Sequence, residues 1–67
     1  MPALNSSNLA SADYNEETEV MTITFRSGAT YSYRGVPKDT YESLISASSP
    51  GQFFSRNIRS SFVGVAE

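Results

Sequence analysis

Residues 18–34 carry the pattern that most limits the fold. Thr18-Glu19-Val20-Met21-Thr22-Ile23-Thr24-Phe25 is rich in β-branched residues and alternates with period two. On a strand, Met21, Ile23 and Phe25 share one face, and Val20, Thr22 and Thr24 share the other. The first face is the larger and more apolar, so it is expected to meet the core. Arg26-Ser27-Gly28 follows as a hairpin turn, with Gly28 free to take the positive φ that tight loops need. Residues 29–34 then alternate again. Tyr31 and Tyr33 point one way, and Thr30, Ser32 and Arg34 the other. Gly35-Val36-Pro37 ends the strand, because Pro37 cannot continue a ladder.

Flanking segments supply the rest. Residues 8–14 alternate weakly and read as a short strand closed by Tyr14, with a polar turn at Asn15-Glu16-Glu17. Downstream, Pro37 suits a helix start and Asp39 opposes the dipole in the first turn. A helix over 38–47 places Tyr41, Leu44, Ile45 and Ser48 on one stripe. Ser48-Ser49-Pro50-Gly51 interrupts it. A second short helix runs from Gly51 or Gln52 to about Arg59, with Phe54, Ile58 and Phe62 four residues apart. The first seven residues read as a loose end. Residues 64–67 are expected to trail off, with at most a brief strand near Phe62-Val63.

The expected architecture is α+β: a small antiparallel sheet of about three strands followed by two short helices packed on one face. Its 67 residues allow one domain, with an ordered part over about 6–62 and loose termini. The expected core is Met21, Ile23, Phe25, Leu44, Ile45, Phe54 and Ile58, with one or both of Tyr31 and Tyr33.

Composition removes whole classes of chemistry. The chain has no cysteine and no histidine. Disulfide scaffolds, thiol nucleophiles, Cys/His zinc sites and Ser-His-Asp catalysis are excluded. Asp39 and Glu42 have no partner acid or base nearby, and Asp13, Glu16, Glu17 and Glu19 lack calcium-loop spacing. No enzyme activity, cofactor or metal is expected. Uninterrupted apolar runs reach only two residues, so no membrane span is expected. Met1–Asn5 lacks a basic region and an apolar core, so no signal peptide is expected, and a cytoplasmic location fits the absence of cysteine.

Net charge is −2, which offers no overall pull toward nucleic acid. Its distribution is uneven. Residues 1–25 hold four acids and no cation, whereas 26–59 hold Arg26, Arg34, Lys38, Arg56 and Arg59 against two acids. Either one face is basic or these cations are an ordinary solvated surface. Tyr31 and Tyr33 are the first candidate site. Two aromatics on one strand face can stack bases, with Arg26 and Arg34 reaching phosphates. The plainer reading packs both rings under the helices with their hydroxyls at the rim. Arg56 and Arg59, three apart on a helix, can clasp one phosphate or carboxylate, or simply be solvated. The turn Ser48–Gln52 can hold an anion on its backbone N–H groups, but helix punctuation explains it as well.

Taken in order, a set of short pieces resembles the KTSC domain family. They are Ser6-Ser7-Asn8-Leu9, Tyr14, Met21-Thr22-Ile23-Thr24-Phe25 with Gly28, Tyr31-Ser32-Tyr33, and Gly35-Val36-Pro37. They continue with Tyr41-Glu42-Ser43-Leu44, Ala47-Ser48-Ser49-Pro50-Gly51, Phe53-Phe54 and Asn57-Ile58-Arg59. The resemblance runs from about Ser6 to Phe62. That family occurs alone in bacteria or phages and at the C-terminus of some lysyl-tRNA synthetases. The resemblance implies a small binding module, with RNA binding suggested through Tyr31, Tyr33, Arg34, Arg56 and Arg59. The family commonly has lysine where Arg59 stands and tyrosine where Phe62 stands. The alternative is a protein-interaction module docking on a larger complex through a bare strand edge or Phe53. A nucleotide or small anion held by Arg56 and Arg59 is a third option. The expected state is a monomer or weak homodimer.

Overall fold

The central hairpin fixes everything around it. In the computed structural model, which describes Leu4 and residues 7–67, β1 spans Leu9–Asn15, β2 Val20–Phe25 and β3 Thr30–Tyr33. Helix α1 spans Lys38–Ser46, and α2 spans Pro50–Phe53 and runs straight into a π turn over Phe54–Ile58. A fourth strand, β4, spans Gly64–Ala66. The sheet is antiparallel with order β1-β2-β3-β4. It carries the helices on one face.

Register decides which side chains meet the helices. Phe25 N–H donates to the Ala29 carbonyl at 2.8 Å, closing a three-residue turn in which Gly28 has φ 98°. Met21 therefore stands opposite Tyr33, and Ile23 opposite Tyr31. Across the other edge, Tyr14 faces Met21 and Ala12 faces Ile23. Directly opposed residues project to the same face. Ala12, Tyr14, Met21, Ile23, Phe25, Tyr31 and Tyr33 thus line the inner face. The outer face is mainly Thr22, Thr24, Thr30, Ser32 and Val65.

The weak alternation of β1 has a physical cause. Its pairing with β2 is irregular between Leu9 and Ser11. One extra residue there lets Leu9 and Ala12, three apart, both be buried. Upstream, Leu4 N–H donates to the Ala10 carbonyl at 3.0 Å and its side chain is only 4% exposed. Leu4 is thus corrected from loose end to core residue. Residues 1–3, 5 and 6, also expected to be loose, lie outside the described residues.

The core is Leu4, Leu9, Ala12, Met21, Ile23, Tyr33, Val36, Leu44, Phe54 and Ile58, with Phe25 and Tyr31 partly buried against it. Ile45 is corrected from core to surface at 36% exposed. The helix seats itself on Leu44, and the next residue lies about 100° around the axis, on its flank. Tyr41 stacks on Tyr14, with centroids 4.9 Å apart, and the Tyr14 hydroxyl donates to the Val36 carbonyl at 2.6 Å. This pair fastens the start of α1 to the sheet.

Residues 64–67 do not trail off. Gly64, Val65 and Ala66 pair with Tyr33, Ser32 and Tyr31, and Glu67 N–H donates to the Thr30 carbonyl at 2.9 Å. Among the described residues, no helix is long and apolar enough to cross a membrane.

Candidate functional site

The inner-face register settles the tyrosines first. Tyr33 is 6% exposed and meets Phe54 edge-on at 5.5 Å. Tyr31 is half-buried and meets Phe25 edge-on at 5.7 Å, and Phe25 meets Phe54 the same way at 5.6 Å. The four rings form one edge-to-face chain, Tyr31–Phe25–Phe54–Tyr33. The tyrosines thus pack within this ring chain, Tyr33 buried and Tyr31 half-buried, and do not stand on an open sheet face.

That ring chain is nevertheless the floor of a groove. Between the β2–β3 hairpin and α2 opens a hollow of about 540 Å³, walled by Leu9, Ala29, Gly51 and Ser55, with Arg26 and Arg59 also lining it. A second trough of about 440 Å³ runs along Ser48–Gln52 and carries Arg56. The two share Ser7, Asn8, Gly51 and Ser55, so they are continuous. Neither is lined by a carboxylate.

The π turn distributes the arginines between the two lobes. Arg59 N–H donates to the Phe54 carbonyl at 2.9 Å, a five-residue step. The wider turn rotates the residues after it back relative to α spacing. Arg59 thereby shares a wall with Phe54, while Ile58 stays buried. Arg56 and Arg59, read from the sequence as either a clasp on one anion or a solvated face, line neighbouring lobes. Arg34 lines neither lobe. It is exposed beyond the last residue of β3, so it does not join the other site residues. Arg26 donates through its guanidinium to the Leu4 carbonyl at 3.2 Å, tying the groove wall to the start of the chain. Arg34, Arg56 and Arg59 form no ion pair among the described residues. Phe53 is half-buried, in a separate hollow beside Asp39 and Phe62, and is not an exposed anchor.

Three polar groups converge above the rings. Burial raises the Tyr33 hydroxyl above its ordinary pKa near 10.0; the Tyr31 hydroxyl pushes the same way and the Arg59 guanidinium pulls it back. Burial also raises Tyr14 and Tyr41, with nearby carboxylates adding to it. An acid whose folded-state pKa is raised contributes stability below its unfolded-state pKa and loses it as pH climbs through the folded value. The expected result is a urea midpoint that falls above about pH 10. The fall is smaller in Tyr33→Phe, which has one fewer phenol to ionise. Equal alkaline slopes for both proteins, measured by circular dichroism, would show that Tyr33 ionises alike folded and unfolded.

A wider depression of about 810 Å³ sits at the Asn15–Thr18 turn, beside Asp13, Glu16 and Glu17. It is a solvated concavity. Asn15 Oδ1 accepts from the Glu17 and Thr18 N–H groups, and no group of three metal-ligating side chains gathers among the described residues. The sequence reading had placed Arg26 near phosphates and Gly51 within a turn able to hold an anion, but had no signal for Phe25 and Ser55 as groove residues, since their grouping depends on the π turn and on how α2 crosses the hairpin.

Comparison with known proteins places this geometry. The family model of the KTSC domain matches residues 5–62. An uncharacterized protein of Stutzerimonas stutzeri is 39% identical over 54 residues, covering 81% of this chain and 76% of that one. A protein of Tsukamurella paurometabola is 32% identical over 98% of both chains. A lysine–tRNA ligase of Nostoc punctiforme is 41% identical over 73% of this chain, which spans 9% of that enzyme. Among solved structures, the crystal structure of a KTSC domain protein from Yersinia pestis superposes with TM-score 0.91 at 33% identity, covering 96% of this chain and 90% of that one.

Proposed function

The chain belongs to the KTSC domain family, and from that premise we propose that it is a small non-catalytic module that binds single-stranded RNA weakly in the aromatic groove. One observation carries the reading. In a protein of net charge −2, two continuous lobes are lined by Arg26, Arg56 and Arg59 and by no acid. Such a concave cationic lining is complementary to a phosphate chain. The half-buried Tyr31 and the Phe25 edge give one unpaired base an apolar surface. A duplex has no unstacked base to offer, so single strands are preferred. The likeness to part of a lysine–tRNA ligase supports an RNA partner in kind, without fixing which RNA.

Fluorescence anisotropy of a labelled single-stranded RNA tests this at several salt concentrations. Two phosphate contacts, at Arg56 and Arg59, give a slope of about −1.4 in log affinity against log salt, so binding weakens roughly sevenfold between about 50 and 200 mM. Affinity at physiological salt is expected on the order of 10⁻⁴ M. Arg59→Gln lowers affinity and flattens the slope by about 0.7. Absence of binding at low salt, with the protein folded, would sink the RNA reading.

A second reading rests on β4. Among the described residues its edge away from β3 pairs with no other strand, and Val63 and Val65 are exposed. Strand addition by an extended peptide fits that edge. A peptide partner shifts the Gly64 and Ala66 amides and leaves the groove unmoved, which separates the two readings.

A further inference from the structure

We infer that the groove holds two consecutive nucleotides, one base in the aromatic lobe and the connecting phosphate at the Ser55 ridge between Arg59 and Arg56. This inference rests on the RNA reading and adds to it a site length and a division of labour.

The reasoning is geometric. The two lobes share the stretch formed by Ser7, Asn8, Gly51 and Ser55, so an occupant of one continues into the other without crossing a wall. They differ in character. The larger has four aromatic rings beneath it; the smaller, along Ser48–Gln52, is polar and has none. A base therefore gains stacking only in the first, and the second suits backbone and sugar. The π turn places Arg59 on the aromatic side and Arg56 on the polar side, with Ser55 in both lobes. Neither guanidinium has a hydrogen-bond or ion-pair partner among the described residues. Each is thus available to a phosphate, and a strand bridging the lobes passes both. A 5′-mononucleotide has no phosphate on its 3′ side, where the ridge lies, so it fills only the aromatic lobe and engages Arg59 alone.

The test is a length series followed by amide chemical shifts in ¹H–¹⁵N spectra: uridine 5′-monophosphate, the dinucleotide UpU, and uridine oligomers of four and eight. Uridine is chosen because its free strands stack little, so length does not alter the unbound state. Affinity is expected to rise about tenfold from the monophosphate to UpU, the worth of one charge-assisted contact. Beyond four nucleotides it grows only with the number of available frames. Arg56→Gln is expected to erase the gain on going to UpU and leave the monophosphate unchanged; Arg59→Gln weakens both. Both side chains are exposed, so the dispersion of the amide spectrum confirms that the variants stay folded. Equal affinity for the monophosphate and UpU, steep growth from four to eight nucleotides, or equal effects of the two variants would each overturn the two-nucleotide site while leaving RNA binding intact. No shifts with any RNA at low salt would overturn RNA binding itself.

Discussion

Phe54→Ala is expected to destabilise the protein by about 3–5 kcal/mol, the range for truncating a buried aromatic. A domain of this length has on the order of 3–10 kcal/mol in total. Most of the molecules are then close to unfolding at room temperature, and the melting midpoint drops by roughly 12–40 °C. Phe54 is singled out by its position and not by its size. It is 6% exposed and meets Phe25 at 5.6 Å and Tyr33 at 5.5 Å, both edge-on at 79°. Each such pair is worth roughly 0.5–1.5 kcal/mol beyond the area buried. Removing the hub of the chain loses both pairs together with the transfer energy, and the π turn loses its anchor on the sheet. Phe54→Leu keeps most of the volume and should cost clearly less than the alanine variant. Urea unfolding followed by circular dichroism measures both. If Phe54→Ala and Phe53→Ala cost the same, the ring chain is not what holds α2 in place, since Phe53 is only half-buried and has no ring partner at these distances.

How far the sequence foretold this arrangement varies with the kind of signal. β2, β3 and α1 were legible because periodicity is local: Met21, Ile23, Tyr33 and Leu44 occupy the buried positions that alternation and helical spacing predict. The facing of Tyr31 and Tyr33 was also encoded, though not by strand parity alone. A three-residue turn at Arg26–Gly28 pairs Phe25 with Ala29, and the count then runs to Ile23 with Tyr31 and Met21 with Tyr33. Once Met21 and Ile23 are assigned to the core, both tyrosines follow them there. β1 was blurred because its irregular pairing shifts Leu9 out of phase with Ala12. β4 was invisible because Gly64-Val65-Ala66 has no alternation to detect and pairs with residues over thirty positions away. The π turn has no composition of its own, so the spacing of Arg56 and Arg59 did not show that they line neighbouring lobes. The groove was lost for the same reason: its members come from the start of β1, the β2–β3 turn and α2, and only packing brings them together.

Gly64→Ala is expected to release β4 from the sheet, at a cost of about 1–3 kcal/mol. The reason is space and not backbone conformation, since Gly28 and Gly35 are the glycines with positive φ among the described residues. A Cβ on Gly64 would lie 2.6 Å from Tyr33 Cε2, 2.8 Å from Cζ and 2.9 Å from the hydroxyl oxygen. The ring cannot swing aside easily, because Phe54 packs edge-on against it. The strand gives way instead, being three residues long and exposed. Cross-strand contacts between Tyr31 and Ala66 should vanish from nuclear Overhauser spectra, while those between Met21 and Tyr33 persist. A double-mutant cycle isolates the cause. Tyr33→Leu removes the ring atoms that the new methyl would strike, so adding Gly64→Ala to that background should cost little. If the two substitutions instead add, within about 0.3–0.5 kcal/mol, the glycine is needed for something other than the ring. The cycle also bears on the groove, because Tyr33 lines the aromatic lobe together with Tyr31 and Arg59. Releasing β4 uncovers the Tyr33 ring and reshapes the edge of the aromatic lobe. Gly64→Ala should then weaken RNA binding from a position that lines neither lobe.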